Sequence, residues 1–153
     1  MQAADSPRLC NLLIDLFTIE TDFMPNREKQ ALGFGMLVAN TSLTSAVFSA
    51  EIDREVIGTV SIRTLVFTAE GGRIGLIEDV IVDWQLRCKN ITTLLFDRII
   101  IAWGRRRDLK CLQQLVDYTN LQAINFYVCH GWNATDLRCM RIMLRQSARG
   151  LME

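Results

Sequence analysis

Arg87, Lys89, Asn90 and Thr92 crowd into the stretch VDWQLRCKNITTLL, residues 82–95, where an apolar strand gives way to a helix. A helix that opens directly after a strand presents unpaired N–H groups and the positive end of its dipole, a setting that suits a pyrophosphate. Arg87 and Lys89 put two cationic donors beside it. Turns that hold a phosphate usually carry glycine, which lets the backbone come close and adopt positive φ. Here Cys88, Asn90 and Thr92 stand instead. Asparagine enters the left-handed region more readily than most residues, and a Thr92 with helical φ/ψ could donate its hydroxyl to a phosphate oxygen. The terminus and the cations would lower the pKa of a thiol at Cys88, although an inert cysteine is the plainer reading.

Other chemistries find little support. The five cysteines (Cys10, Cys88, Cys111, Cys129, Cys139) show no CxxC spacing, and His130 is the only histidine, so no metal site is expected. An odd number of cysteines cannot all pair within one chain, and reduced thiols in a cytoplasmic protein are the simplest expectation. A formal net charge of zero argues against broad binding to nucleic acid or an acidic membrane. The basic run Arg105-Arg106-Arg107 reads as the end of a helix, where cations oppose the dipole favourably; a nucleic-acid or phosphate patch is the other reading. No window approaches the roughly 18 apolar residues of a membrane span, and MQAADSPRLC does not read as a secretory signal.

The elements that must position these residues follow from periodicity. With 153 residues, half of them hydrophobic, the chain has the size and composition of a single domain covering 1–153. Ser6 and Pro7 start a helix over roughly 7–21, and Asn26 caps a second through Leu37, with Gly33 and Gly35 either weakening it or permitting close packing. AVFSAEID, EVIGTVSIRTLVFT and GLIEDVIVD read as three strands, turning at Asp53-Arg54 and at AEGGR, and such short connections predict an antiparallel meander. Ile91, Leu94, Leu95, Ile99 and Trp103 form the apolar side of a helix over 91–106. CLQQLVDY is a further strand, Asn120 begins a short helix ending near Gly131, and TDLRCMRIML, 135–144, reads as a last strand.

This order of elements resembles the GNAT superfamily of N-acetyltransferases over roughly residues 5–144. GLIEDVIVD resembles its fourth strand, QLRCKNIT stands in the place of its pyrophosphate loop (commonly R-G-x-G-x-G), and LLFDRIIIAWGRRR matches the following helix. In YTNLQAINFYVCHGW, Asn120, Ala123, Phe126, Tyr127, Gly131 and Trp132 stand in register with the closing motif N-x-x-A-x-x-F-Y-x-x-x-G-F/W. The resemblance implies an α/β fold with a mixed, mostly antiparallel sheet flanked by helices. The family's usual first strand would be missing or reduced to Met1–Asp5. An exposed edge on AVFSAEID would follow, and a second copy covering it would make a homodimer.

The resemblance also implies transfer of an acetyl group from acetyl-CoA to a primary amine, on a small molecule or a peptide, by direct attack in a ternary complex. Pantetheine would bond the backbone of Ile81 and Val82. The pyrophosphate would lie on the N–H groups of Arg87, Cys88, Lys89, Asn90, Ile91 and Thr92, and Asn120 and Tyr127 would complete the cofactor site. Tyr127 would protonate the departing thiolate, or serve simply as core. Glu78 is the first choice for the general base over Asp79, because successive strand residues face opposite sides unless a bulge intervenes. The lost glycines leave a second reading, an inactive member that binds CoA or a protein partner.

Overall fold

A computed structural model describes residues 6–20, 22–39, 44–87 and 90–144. Helix α1 spans Ser6–Ile19 and buries Leu9, Leu12 and Leu13, at the helical spacing its sequence predicts. Helix α2 spans Arg27–Ala39. Its start is closed reciprocally. The Asn26 carboxamide accepts from the Lys29 N–H at 3.0 Å, and the Asn26 N–H donates to the Gln30 side chain at 2.7 Å. Gly33 and Gly35 face open space, so close packing does not explain them.

Strands β1 (Ser45–Ile52), β2 (Glu55–Phe67) and β3 (Gly72–Val82) form the expected antiparallel meander. The first turn uses Asp53 and Arg54, both with positive φ (51° and 67°), the conformation that matches the twist of a two-residue hairpin. The second passes through a short 3₁₀ turn, Thr68–Glu70, and Gly71 at φ 60°. Strand β4 (Leu112–Gln114) runs parallel to β3, and the sheet order is β1-β2-β3-β4. Among the described residues β1 is therefore an edge. The strand stub expected before α1 falls on Met1–Asp5, outside the described residues.

Helices cover both faces of the sheet. On β1, Val47 packs with the α1 and α2 cluster of Leu9, Leu12, Leu13 and Phe34, whereas Phe48 meets Trp103 edge-on at 6.4 Å. Neighbouring strand residues point to opposite faces. The second helical layer is continuous through α3 (Ile91–Thr93), a π-helical segment (Leu94–Ile100) and α4 (Ile101–Arg106). The π segment corrects the expected apolar stripe. Its i→i+5 bonding, seen as the Ile101 N–H donating to the Phe96 carbonyl, turns Leu95, Phe96, Ile100 and Trp103 inward and leaves Leu94 exposed.

Residues group into two compact units, Met1–Asp117 and Tyr118–Glu153. In the second, α5 spans Leu121–Cys129, with Asn120 as its cap and Gly131 beyond it at φ 82°. The strand expected over 135–144 does not form. These residues are exposed and take no regular secondary structure, and alternation alone cannot make a strand without a partner edge. Among the described residues no helix is long and apolar enough to cross a membrane.

Candidate active site

Strand β3 is interrupted where the sequence places its two adjacent carboxylates. Thr59 pairs with Ile81 but Ser61 pairs with Glu78, so β3 carries one more residue than β2 across this interval. That extra residue makes a β-bulge, and Asp79 within it takes φ 54°. The premise that separated Glu78 from Asp79 by strict alternation therefore fails at this point. Glu78 is ion-paired with Arg63. The Ser61 hydroxyl lies 2.8 Å from the Asp79 carboxylate and 3.2 Å from the Glu78 carbonyl. Burial pushes the Asp79 carboxyl above its usual 3.8; the Ser61 hydrogen bond opposes that rise, neighbouring Glu78 adds to it, and Arg63 opposes it.

Beside the bulge the sheet opens. The parallel ladder between β3 and β4 ends at Ile77 and Gln114, so among the described residues no strand lies along the β4-facing edge of Glu78–Val82. Ile81 and Val82 are buried, and the Val82 carbonyl accepts from Arg87 Nε at 3.2 Å. On the other side Gly58 permits the close approach of β2, since a Cβ there would stand 3.0 Å from the Ile81 carbonyl.

The chain then leaves β3 through Asp83. Its carboxylate caps the Gln85 N–H at 3.0 Å and pairs with Arg8 of α1. The Gln85 hydrogen bond first, and then Arg8, hold this carboxyl below the usual range. Cys88 and Lys89 lie outside the described residues. Asn90 adopts φ 60°, the left-handed conformation for which asparagine substitutes best for glycine, and its carbonyl accepts from the Leu94 N–H at 3.0 Å. Thr92 is helical, so its β-branched side chain meets no φ penalty. Ile91 and Thr92 stand in the first turn, where an N–H has no partner within the helix.

The remaining candidates belong to the second unit. The Asn120 carboxamide accepts from the Ala123 N–H at 3.0 Å, so it caps α5. Tyr127 is half-buried on α5, its ring 5.8 Å from Trp132, and its carbonyl accepts the N–H groups of His130 and Trp132. The spacing of the closing motif thus builds a capped helix ending in an aromatic cluster. Sequence reasoning missed Ser61 and Gly58, which shape the bulge. Their signal was present as two small residues within the buried run VIGTVSI, where a hydroxyl requires a partner.

A bulged strand parting from its parallel neighbour, followed by a helix that opens on a left-handed residue, defines an acyltransferase type of α/β fold. Residues 8–132 match the acetyltransferase (GNAT) family, and the chain belongs to that family. No curated protein matches it. Among solved structures, a possible acetyltransferase from Clostridium difficile 630 superposes with a TM-score of 0.81 at 14% identity, covering 95% of each chain. A ribosomal-protein-alanine N-acetyltransferase from Brucella melitensis biovar Abortus 2308 gives 0.72 at 16% identity, covering 95% of this chain and 96% of that one. A predicted acetyltransferase from Clostridium acetobutylicum, solved with acetyl-CoA, gives 0.70 at 19% identity, covering 93% and 92%.

Proposed function

We propose that the protein transfers the acetyl group of acetyl-CoA to a primary amine by direct attack in a ternary complex. The observation that carries this reading is the opened edge of β3, where the bulge at Asp79 and the departure of β4 after Ile77 leave a stretch of backbone without a strand partner among the described residues, beside a helix start. Pantetheine amides would bond the backbone of Ile81 and Val82. The pyrophosphate would rest on the loop from Arg87 to Thr92, on N–H groups of the first helical turn and the Thr92 hydroxyl.

In the reaction the amine nitrogen bonds to the acetyl carbon as the C–S bond breaks, and the thiolate takes a proton from Tyr127. The amine's own proton passes to a carboxylate at the bulge. Glu78, the first choice from the sequence, is ion-paired with Arg63 there, and Asp79 beside it, its carboxyl pushed up by burial, is the second candidate. The register of Asn120 and Tyr127 with the family's closing motif supports their inclusion. The acceptor amine belongs to a small molecule or a peptide. We further propose that a second copy covers the β1 edge, because an unpaired strand edge invites pairing.

Calorimetric titration with acetyl-CoA, followed by an amine screen that reads released CoA thiol, tests the reading. Micromolar binding that weakens about tenfold in Arg87→Ala, as loss of a charge-assisted hydrogen bond predicts, supports it. No binding to the native protein, with binding restored by Thr92→Gly, would overturn it. The loop's missing glycines favour one rival, a CoA-binding member without turnover, which binding with no thiol release from any amine would establish.

A further inference from the structure

The other end of the same helix holds two buried polar atoms that nothing among the described residues satisfies. Thr64 Oγ1 and Arg107 Nε have no hydrogen-bond partner there, and both residues line a small pocket of about 220 Å³ together with Arg73 and Leu109. Such atoms are rare in folded proteins, because each loses its hydration without gaining a hydrogen bond in return. The pocket is assembled from three elements. Thr64 lies on β2 opposite Gly75 of β3, Arg73 stands two residues before Gly75, and Arg107 follows α4. Strand periodicity therefore turns Thr64 and Arg73 to one face, that of Gly75, against which Leu109 packs.

The charges in this pocket are all of one sign. Neither Arg73 nor Arg107 forms an ion pair among the described residues, and no carboxylate lines the pocket. Lys110, whose backbone N–H donates to the Arg73 carbonyl at 2.8 Å, is paired with Asp108. The guanidinium carbon of Arg107 sits 4.0 Å from the centroid of the Trp103 ring. Stacking of this kind leaves the in-plane N–H groups of the guanidinium to bond other partners, the geometry that grips a planar or tetrahedral oxyanion. At about 30 Å³ per water, the volume would admit several waters or one oxyanion. Waters would meet the hydrogen bonds but leave the charge of half-buried Arg107 without a counter-charge, with that of exposed Arg73 beside it. The C-terminal end of a helix dipole disfavours an anion only weakly beside two full positive charges.

We infer that Thr64, Arg73 and Arg107 form a binding site for a phosphate-type oxyanion, either free or borne as a monoester on a larger molecule. The helix from Ile91 to Arg106 separates it from the loop at residues 87–92 by roughly 20 Å, given the rise of an α-helix. It is distinct from the proposed CoA site and does not depend on acyl transfer.

Titration of the full chain with inorganic phosphate and with phenyl phosphate, against sodium chloride at matched ionic strength, tests this by calorimetry and by tryptophan emission. Saturable phosphate binding is expected, weakened about tenfold in Arg107→Ala and Arg73→Ala and less in Thr64→Val, and retained in Arg87→Ala. Arg107→Lys, which keeps the charge and loses the fork, guards against a folding defect and should weaken binding by an intermediate factor. Equal affinity for the two probes would indicate the free ion, and tighter phenyl phosphate a borne one. A response no greater than that of chloride would overturn the site. So would binding that survives both arginine substitutions, or binding that disappears in Arg87→Ala.

Discussion

At Asp79 a positive φ, a carboxyl with a raised pKa and the Ser61 hydroxyl meet in one bulge. The sign of the resulting pH dependence follows from linkage. With its folded pKa above 3.8, Asp79 holds a proton in the native state that the unfolded chain has already lost, so stability falls as pH rises through the raised value. Asp79→Asn suits the positive φ and removes the ionisation. Its melting temperature should match the native protein in acid and exceed it increasingly toward neutral pH; a constant difference across that range would refute the assignment. If Asp79 is the base, the same variant loses acetyl transfer while keeping acetyl-CoA affinity. Tyr127→Phe should likewise lower the rate, about 10²-fold if its phenol is the general acid, with acetyl-CoA affinity falling far less in titration.

Among elements, the hairpin between β1 and β2 shows how far local chemistry can be read. The turn was legible because Asp53-Arg54 separates two β-branched runs, but nothing in the sequence marks Arg54 as left-handed at φ 67°. Arg54→Gly should therefore stabilise the protein by roughly 0.5–1 kcal/mol, read as a higher urea midpoint at unchanged slope. A lower midpoint would mean that the arginine makes contacts worth more than its strain. The helix after Asn90 was legible in extent, from Ile91 to Arg106, but not in its inward face. Periodicity assumes 3.6 residues per turn, and a π segment breaks that assumption without a sequence mark. The expected last strand failed for a related reason: alternation describes a half-buried strand only when a partner edge exists.

On the scale of the first unit, Arg8 ties α1 to the sheet. Its guanidinium pairs with Asp83 after β3 and donates to the Val56 carbonyl of β2 at 3.1 Å. Arg8→Ala should cost roughly 1–2 kcal/mol, the scale of partly exposed hydrogen bonds to a charged group. The Asp83 pKa is depressed, so its contribution is present above the usual carboxylate range and lost as pH falls through the lower folded value. The cost of Arg8→Ala should shrink in strong acid, as paired denaturation curves would show. The β1 edge sets the expectation for assembly. Sedimentation at tens of micromolar should find a dimer, and a monomer there would remove the proposal that a second copy covers the strand.

The order of helices and strands through Gly131, the turns and the two motifs around residues 87–92 and 120–132 were written in local pattern, which is why the family could be read from the chain. Hydrophobic period, caps and turn residues act over a few neighbours, and a sequence displays them directly. The bulge that brings Asp79 to Ser61, the parting of β4 from β3 after Ile77, and the meeting of Thr64, Arg73 and Arg107 were decided only by tertiary structure. Each depends on register between segments distant in the chain. A shift of one residue in that register would turn every side chain of a strand to its other face without altering a letter of the sequence.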